Sequence, residues 1–358
     1  VCSSDLIYTD TFYMKRKWIR WVSWILLTPI ILFVILMVLL YVPPVQNLLR
    51  REVTAYASKA TGMQIQVERI DLRFPLNLLV RGVEVIQQPD TLLSLESLNV
   101  RVQAWPLIKG KVEVDEVTLS RVAVNSADLM EGMKIKGVLG RFFLQSHGVD
   151  LSNELAVINQ VELSDTHMQL LMNDTTTTPK DTTASAPINW KVALHQLKLK
   201  NVSFSMQLPA DSMRMTAHIG EAAINDAQAD LKNQYYDLKK FLLLGTSASY
   251  DTGTAQPTEG FDASHIAVRD IRIALDSLLY KGRDMNAVIR EFTMNERSGL
   301  SVTALTGRAY SNDSVICVPS LKLNTPHSEI DLSAHTYWEL VNIPTTGRLS
   351  ARLNAYIG

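Results

Sequence analysis

The chain has 358 residues, of which 47% are hydrophobic and 20% are charged, and its formal net charge is −1. This is the balance of an ordinary globular protein, and the lack of a basic excess argues against nucleic-acid binding. The two cysteines, Cys2 and Cys317, are too few for a disulfide framework or a cysteine metal site.

The N-terminus begins with a stretch that has no recognisable pattern, VCSSDLIYTDTFY. Met14 and the Lys-Arg-Lys that follows it are typical of a natural start. We therefore interpret residues 1–13 as a non-native or upstream leader and residues 14–21 as a short basic cytoplasmic segment.

An uncharged apolar run extends from Val22 to Val42 and is interrupted only by Pro29, which membrane helices tolerate. As a helix it would span ~32 Å, against a hydrocarbon core of ~30 Å. The basic residues before it predict a single-pass anchor with the N-terminus in the cytoplasm and the body exported. A cleaved signal peptide is the alternative, but the run is too long and lacks a small-x-small cleavage site.

A short amphipathic helix is predicted over residues 43–62, after Pro43-Pro44 and closed by Gly62. It should lie near the outer surface of the membrane. Head-group contact by Arg50, Arg51 and Lys59 is one interpretation of its basic residues, and a solvated helix face is the favoured one.

From residue 63 to residue 358 the periodicity changes from helical to two, which predicts half-buried strands. A six-residue pattern Φ-x-x-Φ-x-Φ, where Φ is apolar, recurs nine times at spacings of 19 to 49 residues. Apolar and polar residues alternate within each copy, except that two residues instead of one separate the first two apolar positions. The copies begin at Val67, Leu95, Val114, Ile158, Leu194, Ile219, Val268, Ile289 and Val318.

Several copies end in a polar pair that favours a bulge or turn, because Asn, Asp and Ser side chains bond nearby backbone. These pairs are Ser164-Asp165, Lys200-Asn201, Asn225-Asp226, Asn295-Glu296 and Asn324-Thr325. Variable spacing excludes a strict solenoid and fits a meandering antiparallel array. We expect loops over 173–190, which is rich in Thr, Ser and Pro, and over 246–260.

The apolar face of such an array must be hidden, either against a second sheet or by curling into a groove. The strand periodicity alone leaves both arrangements open. The candidate lining residues are Ile65, Val67, Ile70, Leu72, Leu98, Val100, Val102, Val117, Leu119, Val161, Leu163, Leu197, Leu199, Ile271, Ile273, Leu321 and Leu323.

The usual catalytic constellations are absent from the sequence. There is no Gly-x-Ser-x-Gly, His-Glu-x-x-His, Cys-x-x-Cys or phosphate-cradling Gly-rich loop, and the seven histidines have no metal-ligand spacing. We therefore expect no enzyme and no cofactor. A glycosidase built on carboxylates that are distant in sequence is the remaining catalytic alternative.

The order of segments resembles the AsmA-like/TamB family, which includes the translocation and assembly module proteins. The resemblance covers Met14 to about Val124, and beyond residue 125 it extends only to the style of the repeats. After the anchor it rests on Ala60-Thr61-Gly62, Gln64–Glu68, Leu78–Val85, Leu92–Val102 and Trp105–Val114.

The resemblance implies a mainly β protein of a Gram-negative inner membrane, with its body in the periplasm. The N-terminal transmembrane helix and the short amphipathic helix would precede an elongated, curled antiparallel array that forms an open, taco-like groove. That groove would carry phospholipid or another acyl-chain lipid towards the outer membrane and so support outer-membrane biogenesis.

Family members are several times longer and contact an outer-membrane β-barrel partner through a C-terminal domain that this sequence lacks. We therefore expect the chain to be truncated at its C-terminus. The alternative function is a structural tether or scaffold for outer-membrane protein assembly and secretion, with a dry β core and no lipid cargo.

Overall fold

A computed structural model describes residues 42–73, 76–87, 90–103, 105–106, 113–126, 132–150, 153–172, 189–338 and 349–357. The predicted leader 1–13, the basic segment 14–21 and all of the predicted membrane span except Val42 lie outside these residues. Within the described part of the chain, no helix is both long and apolar enough to cross a membrane.

The described residues are mainly β, and one helix precedes the strands. The helix α1 comprises Pro43–Thr61. The strands are β1 Gln64–Arg73, β2 Asn77–Gln87, β3 Asp90–Val102, β4 Val114–Asn125, β5 Met133–Asp150, β6 Leu155–Met172, β7 Lys191–Leu208, β8 Met213–Asp230, β9 Tyr235–Asp251, β10 His265–Lys281, β11 Asp284–Glu296, β12 Ser301–Val302, β13 Ala304–Ser311, β14 Val315–Asn324, β15 Ser328–Tyr337 and β16 Leu349–Ile357.

All strands belong to one long, curled and open sheet in which chain order is sheet order. Each strand pairs with its sequence neighbours, except that β12 pairs only with β11 beside the path. Sequential pairing is what short hairpin connections produce. In the described structure β1 pairs only with β2 and β16 only with β15, so the sheet does not close on itself.

One strand pair departs from the predicted antiparallel array. The pair β6 and β7 is parallel, with Val161 beside Leu197 and Leu163 beside Leu199. A parallel pair needs a crossover of roughly a dozen residues or more, because the chain must return to the end of the sheet from which it left. The insertion predicted over 173–190 lies between these two strands and is long enough for that return. Most of it lies outside the described residues.

Helix α1 agrees with the predicted helix, since Gly62 follows it in the left-handed conformation and donates its N–H to Ser58 O at 3.0 Å. The helix lies along the free edge of β1. Gln46 Nε2 donates to Leu72 O at 3.1 Å, and Arg50 Nη1 donates to Glu68 O at 2.7 Å. Polar side chains of α1 therefore cover an edge that would otherwise be open to pairing with another chain.

The slips in the nine sequence copies correspond to irregularities in the backbone ladder. In every copy, at least one of the two residues between the first two apolar positions is skipped by the strand pairing, as for Asn159 in β6 and His195 in β7. A skipped residue restores the phase, so the apolar residues before and after it stay on one face. The Φ-x-x-Φ-x-Φ pattern is thus the sequence signature of an interrupted strand with one continuous apolar face.

A line of left-handed residues, which we name the kink line, crosses the sheet from β2 to β10. It consists of Gly82, Arg121, Asp165, Asn201, Gly245 and Asp270, with φ between 47° and 58°. Left-handed residues bend and twist their strands, so the sheet bends along this line. Asn201 Nδ2 donates to Asp165 Oδ1 at 2.8 Å and joins two of these residues across the parallel pair.

Two glycines allow neighbouring strands to approach the kink line. A Cβ on Gly140 would lie 2.8 Å from Asp165 O, and a Cβ on Gly220 would lie 2.9 Å from Gly245 O. Real side chains do not tolerate such distances to backbone atoms, so these positions accept only glycine without a shift of the strands.

The loop predicted over 246–260 is wrong in its first part. Strand β9 continues to Asp251, and its small polar residues pair with those of β8, as between Ser249 Oγ and Thr216 Oγ1 at 2.7 Å. The irregular segment begins at residue 252 and ends before His265. The Ser-rich composition of 246–251 therefore reflects the polar face of a strand and not a loop.

Candidate functional site

One row of aligned residues, which we name row 1, runs across the whole sheet. Residues paired in a ladder lie side by side on one face. Following the pairs from β1 to β16 gives one residue from every strand except β12, and all but Gly307 have apolar side chains. Row 1 consists of Leu72, Leu78, Val100, Val117, Leu144, Val161, Leu197, Ile224, Phe241, Leu275, Ile289, Gly307, Leu321, Leu332 and Leu353.

A second row, row 2, lies two residues away along most strands and therefore on the same face. From β1 to β11 it consists of Ile70, Val80, Leu98, Leu119, Phe142, Leu163, Leu199, Ala222, Leu243, Ile273 and Phe292. From β13 to β16 it continues with Leu305, Leu323, Ile330 and Ala355. The two rows form a continuous apolar strip on one face of the curled sheet.

Most of the lining residues predicted from the sequence fall in these rows. Row 1 contains Leu72, Val100, Val117, Val161, Leu197 and Leu321, and row 2 contains Ile70, Leu98, Leu119, Leu163, Leu199, Ile273 and Leu323. The other four lie elsewhere: Val67 and Ile65 pair with Val83 and Val85 beyond the kink line, Val102 pairs with Val114, and Ile271 pairs with Thr246.

Sequence reasoning missed several members of both rows. Ile224 and Ile289 occupy apolar positions of the nine copies, so the pattern indicates them, although they are not among the predicted lining residues. Leu78, Leu144 and Phe142 lie in β2 and β5, outside the nine counted copies, although Val80–Val85 and Leu139–Leu144 also fit the Φ-x-x-Φ-x-Φ pattern. In β5 the run Phe142-Phe143-Leu144 hides the alternation, because Phe143 points to the other face, where it pairs with Thr118.

No second layer covers the apolar strip within the described part of the chain. None of its large side chains is fully buried, and among the residues that the structure describes the buried hydrophobic ones are Leu92, Leu95, Ala156, Ala222, Ala274 and Val302. Row 1 residues are half-buried up to β15, and Leu353 in β16 is 63% exposed. A sandwich core would instead bury such residues against a facing sheet. The strip is shielded mainly by its own members.

The opposite face of the sheet carries a polar row, and some of its side chains pair with one another. One of its aligned rows consists of Arg73, Asn77, Arg101, Glu116, Gln145, Gln160, Gln196, Asn225 and Lys240. Arg101 Nη1 lies 3.1 Å from Glu116 Oε2, and Gln160 Nε2 donates to Glu162 Oε1 at 2.7 Å. This face is suited to water, so the sheet as a whole is two-sided.

Two carboxyl groups with shifted pKa values, those of Asp262 and Glu296, hold turns together. Hydrogen bonds from the amides of Thr258 and Ser264 lower the pKa of Asp262 to about 2, and His265 Nδ1 lies 3.0 Å from its Oδ2. Hydrogen bonds from Ser298 likewise lower the pKa of Glu296. Among the described residues, no group of three or more His, Cys, Asp or Glu side chains is arranged to hold a metal ion.

No protein-family model matches this chain, and no curated protein matches it.

Proposed function

We propose that this protein carries phospholipid, or another lipid with acyl chains, along the apolar strip of its curled sheet. The observation that carries the proposal is row 1, an apolar row that continues from β1 to β16 and is covered by no second layer among the described residues. Acyl chains bound along it would be stabilised by burial, at ~0.8 kcal/mol per CH₂. The polar face would remain in water.

The cellular setting belongs to the same proposal. The segment from Val22 to Val42 would anchor the chain in the inner membrane of a Gram-negative bacterium, with the sheet in the periplasm. Lipid movement between the inner and outer membranes would then support outer-membrane biogenesis. An outer-membrane β-barrel protein would be a partner in this process. The proposal includes no catalytic step and no cofactor.

The length of row 1 favours a conduit over a receptor for one ligand. Small-molecule sites are concave and place a few polar groups at defined points, whereas row 1 offers apolar side chains on every strand from β1 to β11 and again from β14 to β16. A surface of this kind recognises acyl chains by burial and does not select a head group.

The test introduces a charge into the strip beside a matched control on the other face. Leu98, Val100 and Leu119 are each replaced by Asp, and the control is Ser120→Asp, because Ser120 pairs with Ser97 and Arg141 on the polar face. Lipid contact is measured in bacterial membranes by photo-crosslinking of radiolabelled phospholipid to benzoylphenylalanine at Val117.

In a conduit the three strip variants keep their circular-dichroism spectrum and lose at least ~10-fold in lipid crosslinking, because an uncompensated charge in an apolar site costs several kcal/mol. Ser120→Asp keeps both. In a dry tether the strip variants unfold and the parent chain yields no crosslinked lipid. That second result would reject lipid carriage in favour of the scaffold function.

A further inference from the structure

Helix α1 has an apolar stripe that faces away from the sheet. Leu48 and Tyr56 form this stripe and are 58% and 78% exposed, and Val53 at its border is 48% exposed. At 3.6 residues per turn, Leu48 lies about 160° around the helix from Gln46 and Arg50, and Tyr56 lies about 160° from Ser58, whereas Val53 borders Gln46 at about 20°. Those three polar residues make the contacts with the β1 region, where Ser58 Oγ accepts the N–H of Ile65 at 3.1 Å.

This orientation is the reverse of what a helix on a soluble domain shows. Such a helix packs its apolar stripe against the core and turns its polar side to water. Single exposed hydrophobic residues are common, but here Leu48 and Tyr56 lie within about 80° of each other on a helix whose other side is bonded to the sheet, and Val53 lies at the border between the two sides. The apolar stripe has no partner within the described residues, so it needs a partner outside them.

The position of α1 in the chain indicates what that partner is. The helix begins at Pro43, directly after the uncharged run from Val22 to Val42. If that run crosses a bilayer, the first turn of α1 emerges at the lipid–water interface. Leu48 follows Pro43 by only about 8 Å of helix at 1.5 Å per residue. The stripe is therefore held next to the bilayer.

The side chains around the stripe suit an interfacial position. Tyr56 has the apolar ring and polar tip that favour the head-group level. Arg51 is exposed beside Leu48, and Glu52 and Lys59 are exposed between Leu48 and Tyr56 on the helix surface. Arg51 and Lys59 have long stems that lie along apolar surface while their charges stay in water. The three charges leave this side with a small positive balance and not a strongly cationic face.

We propose that α1 lies in the plane of the membrane interface, with Leu48 and Tyr56 inserted at the boundary between head groups and acyl chains. Because Gln46 of α1 is bonded to Leu72 O, and Leu72 is the first member of row 1, the helix holds the β1 end of the strip at the bilayer surface. The proposal does not depend on lipid carriage, since a dry tether would be oriented in the same way.

The experiment uses the full chain reconstituted in vesicles of phosphatidylcholine and phosphatidylglycerol. Cys2 and Cys317 are replaced by Ser, and single cysteines are introduced by Leu48→Cys, Tyr56→Cys and, as matched control, Asn47→Cys. Asn47 is exposed and adjacent to Leu48, so it is equally near the anchor, but it lies on another side of the helix. Each cysteine carries an environment-sensitive nitrobenzoxadiazole probe.

Quenching by lipids brominated on their acyl chains reports insertion, and quenching by aqueous iodide reports exposure to water. We expect bromolipid quenching at positions 48 and 56 to exceed that at position 47 several-fold, with the reverse order for iodide. Equal quenching at the three positions, or iodide quenching that is strongest at 56, would overturn the proposal.

A second copy of the chain is the competing partner for the stripe. Energy transfer between chains labelled at position 56, in vesicles at high lipid-to-protein ratio, would favour that partner and contradict insertion. The two proposals fail separately: inserted probes at 48 and 56 together with no lipid crosslinking at Val117 would support the interfacial helix and reject lipid carriage.

Discussion

At the scale of single residues, the sequence indicates part of the kink line. The polar pairs after the repeats predict bulges or turns, and Asp165, Asn201 and Asp226 are left-handed within their strands. Glu296 and Asn324 end their strands instead. The sequence does not indicate Arg121, because arginine has no local preference for the left-handed conformation. The pairing of β4 with its neighbours holds the backbone of Arg121 in that conformation.

The close approach of β8 to Gly245 in the kink line requires a glycine at position 220, and Gly220→Ala tests this requirement. The new Cβ would lie 2.9 Å from Gly245 O, so β8 and β9 must separate. We expect a loss of about 1–3 kcal/mol in the free energy of unfolding, which is typical of overpacking. The measurement is urea unfolding in detergent, followed by circular dichroism.

Glu221→Ala is the control for this substitution, because Glu221 is the exposed neighbour of Gly220 and its truncation should change stability by less than about 0.5 kcal/mol. An alanine at 220 that is as stable as the parent would show that the two strands are not closely packed there.

Asp262 makes the segment before β10 sensitive to acid. Its pKa is lowered from 3.8 to about 2 because the folded chain donates amides of Thr258 and Ser264 to the ionised carboxyl. A lowered pKa stabilises the fold above the unfolded value of 3.8, and this contribution is lost as the pH falls through about 2. Hydrogen exchange of the 252–264 segment should therefore lose protection between these pH values, after correction for the intrinsic rate.

Asp262→Asn should show reduced protection at neutral pH and little further change on acidification, since the amide cannot ionise. Asp211→Asn is the control, because Asp211 is exposed in the turn between β7 and β8. A variant at 262 with the same acid profile as the parent would assign the transition to another group.

At the scale of elements, alternation predicts that strands occur and where their phase slips. The nine slips coincide with ladder irregularities because a bulge is the way a strand keeps its apolar face past an extra residue. The parallel direction of β6 and β7 was not predictable, since side-chain alternation is identical for both directions. The helix α1 was predictable from its two prolines and Gly62, but its inverted orientation was not. Its polar contacts are made to backbone carbonyl and N–H groups of the β1 region, which every residue carries and which the sequence therefore does not reveal.

The attachment of α1 to β1 can be measured with two neighbouring arginines. Arg50 donates to Glu68 O at 2.7 Å, whereas Arg51 is exposed on the helix surface. Loss of a hydrogen bond of this kind costs about 1 kcal/mol. We expect Arg50→Ala to accelerate hydrogen exchange in β1 about fivefold, and Arg51→Ala to leave it unchanged. Equal effects of the two substitutions would indicate a role for charge and not for the bond to β1.

At the scale of the whole molecule, the apolar strip depends on register, which no single segment encodes. A shift of one residue between two strands would place apolar against polar rows and interrupt the strip. Row 1 therefore requires every strand pair to be in register, including the parallel pair in the middle. Sequence analysis could place residues such as Leu197 and Leu321 on the apolar face of their own strands. It could not show that they belong to one row.

Continuity of row 1 makes a serial prediction that a discrete binding site does not make. Benzoylphenylalanine is placed at Val100 in β3, Leu197 in β7 and Leu321 in β14, and phospholipid crosslinking is measured at each position. In a conduit all three positions crosslink lipid, because the same strip passes all of them. In a discrete site only one does.

A block in the middle of the strip tests the order of the positions. With the probe at Val100 or Leu321, Leu197→Asp adds a charge to row 1, and Gln196→Asp is the control on the polar row beside it. If lipid enters from the β1 end, which α1 covers, crosslinking persists at position 100 and falls at least ~10-fold at position 321, since the charge makes the intervening strip unfavourable for acyl chains by several kcal/mol. Loss at position 100 with retention at position 321 would place entry at the other end of the sheet. Equal crosslinking at both positions in the blocked chain would mean that lipid reaches each strand from the surroundings, and that the strip is a surface and not a path.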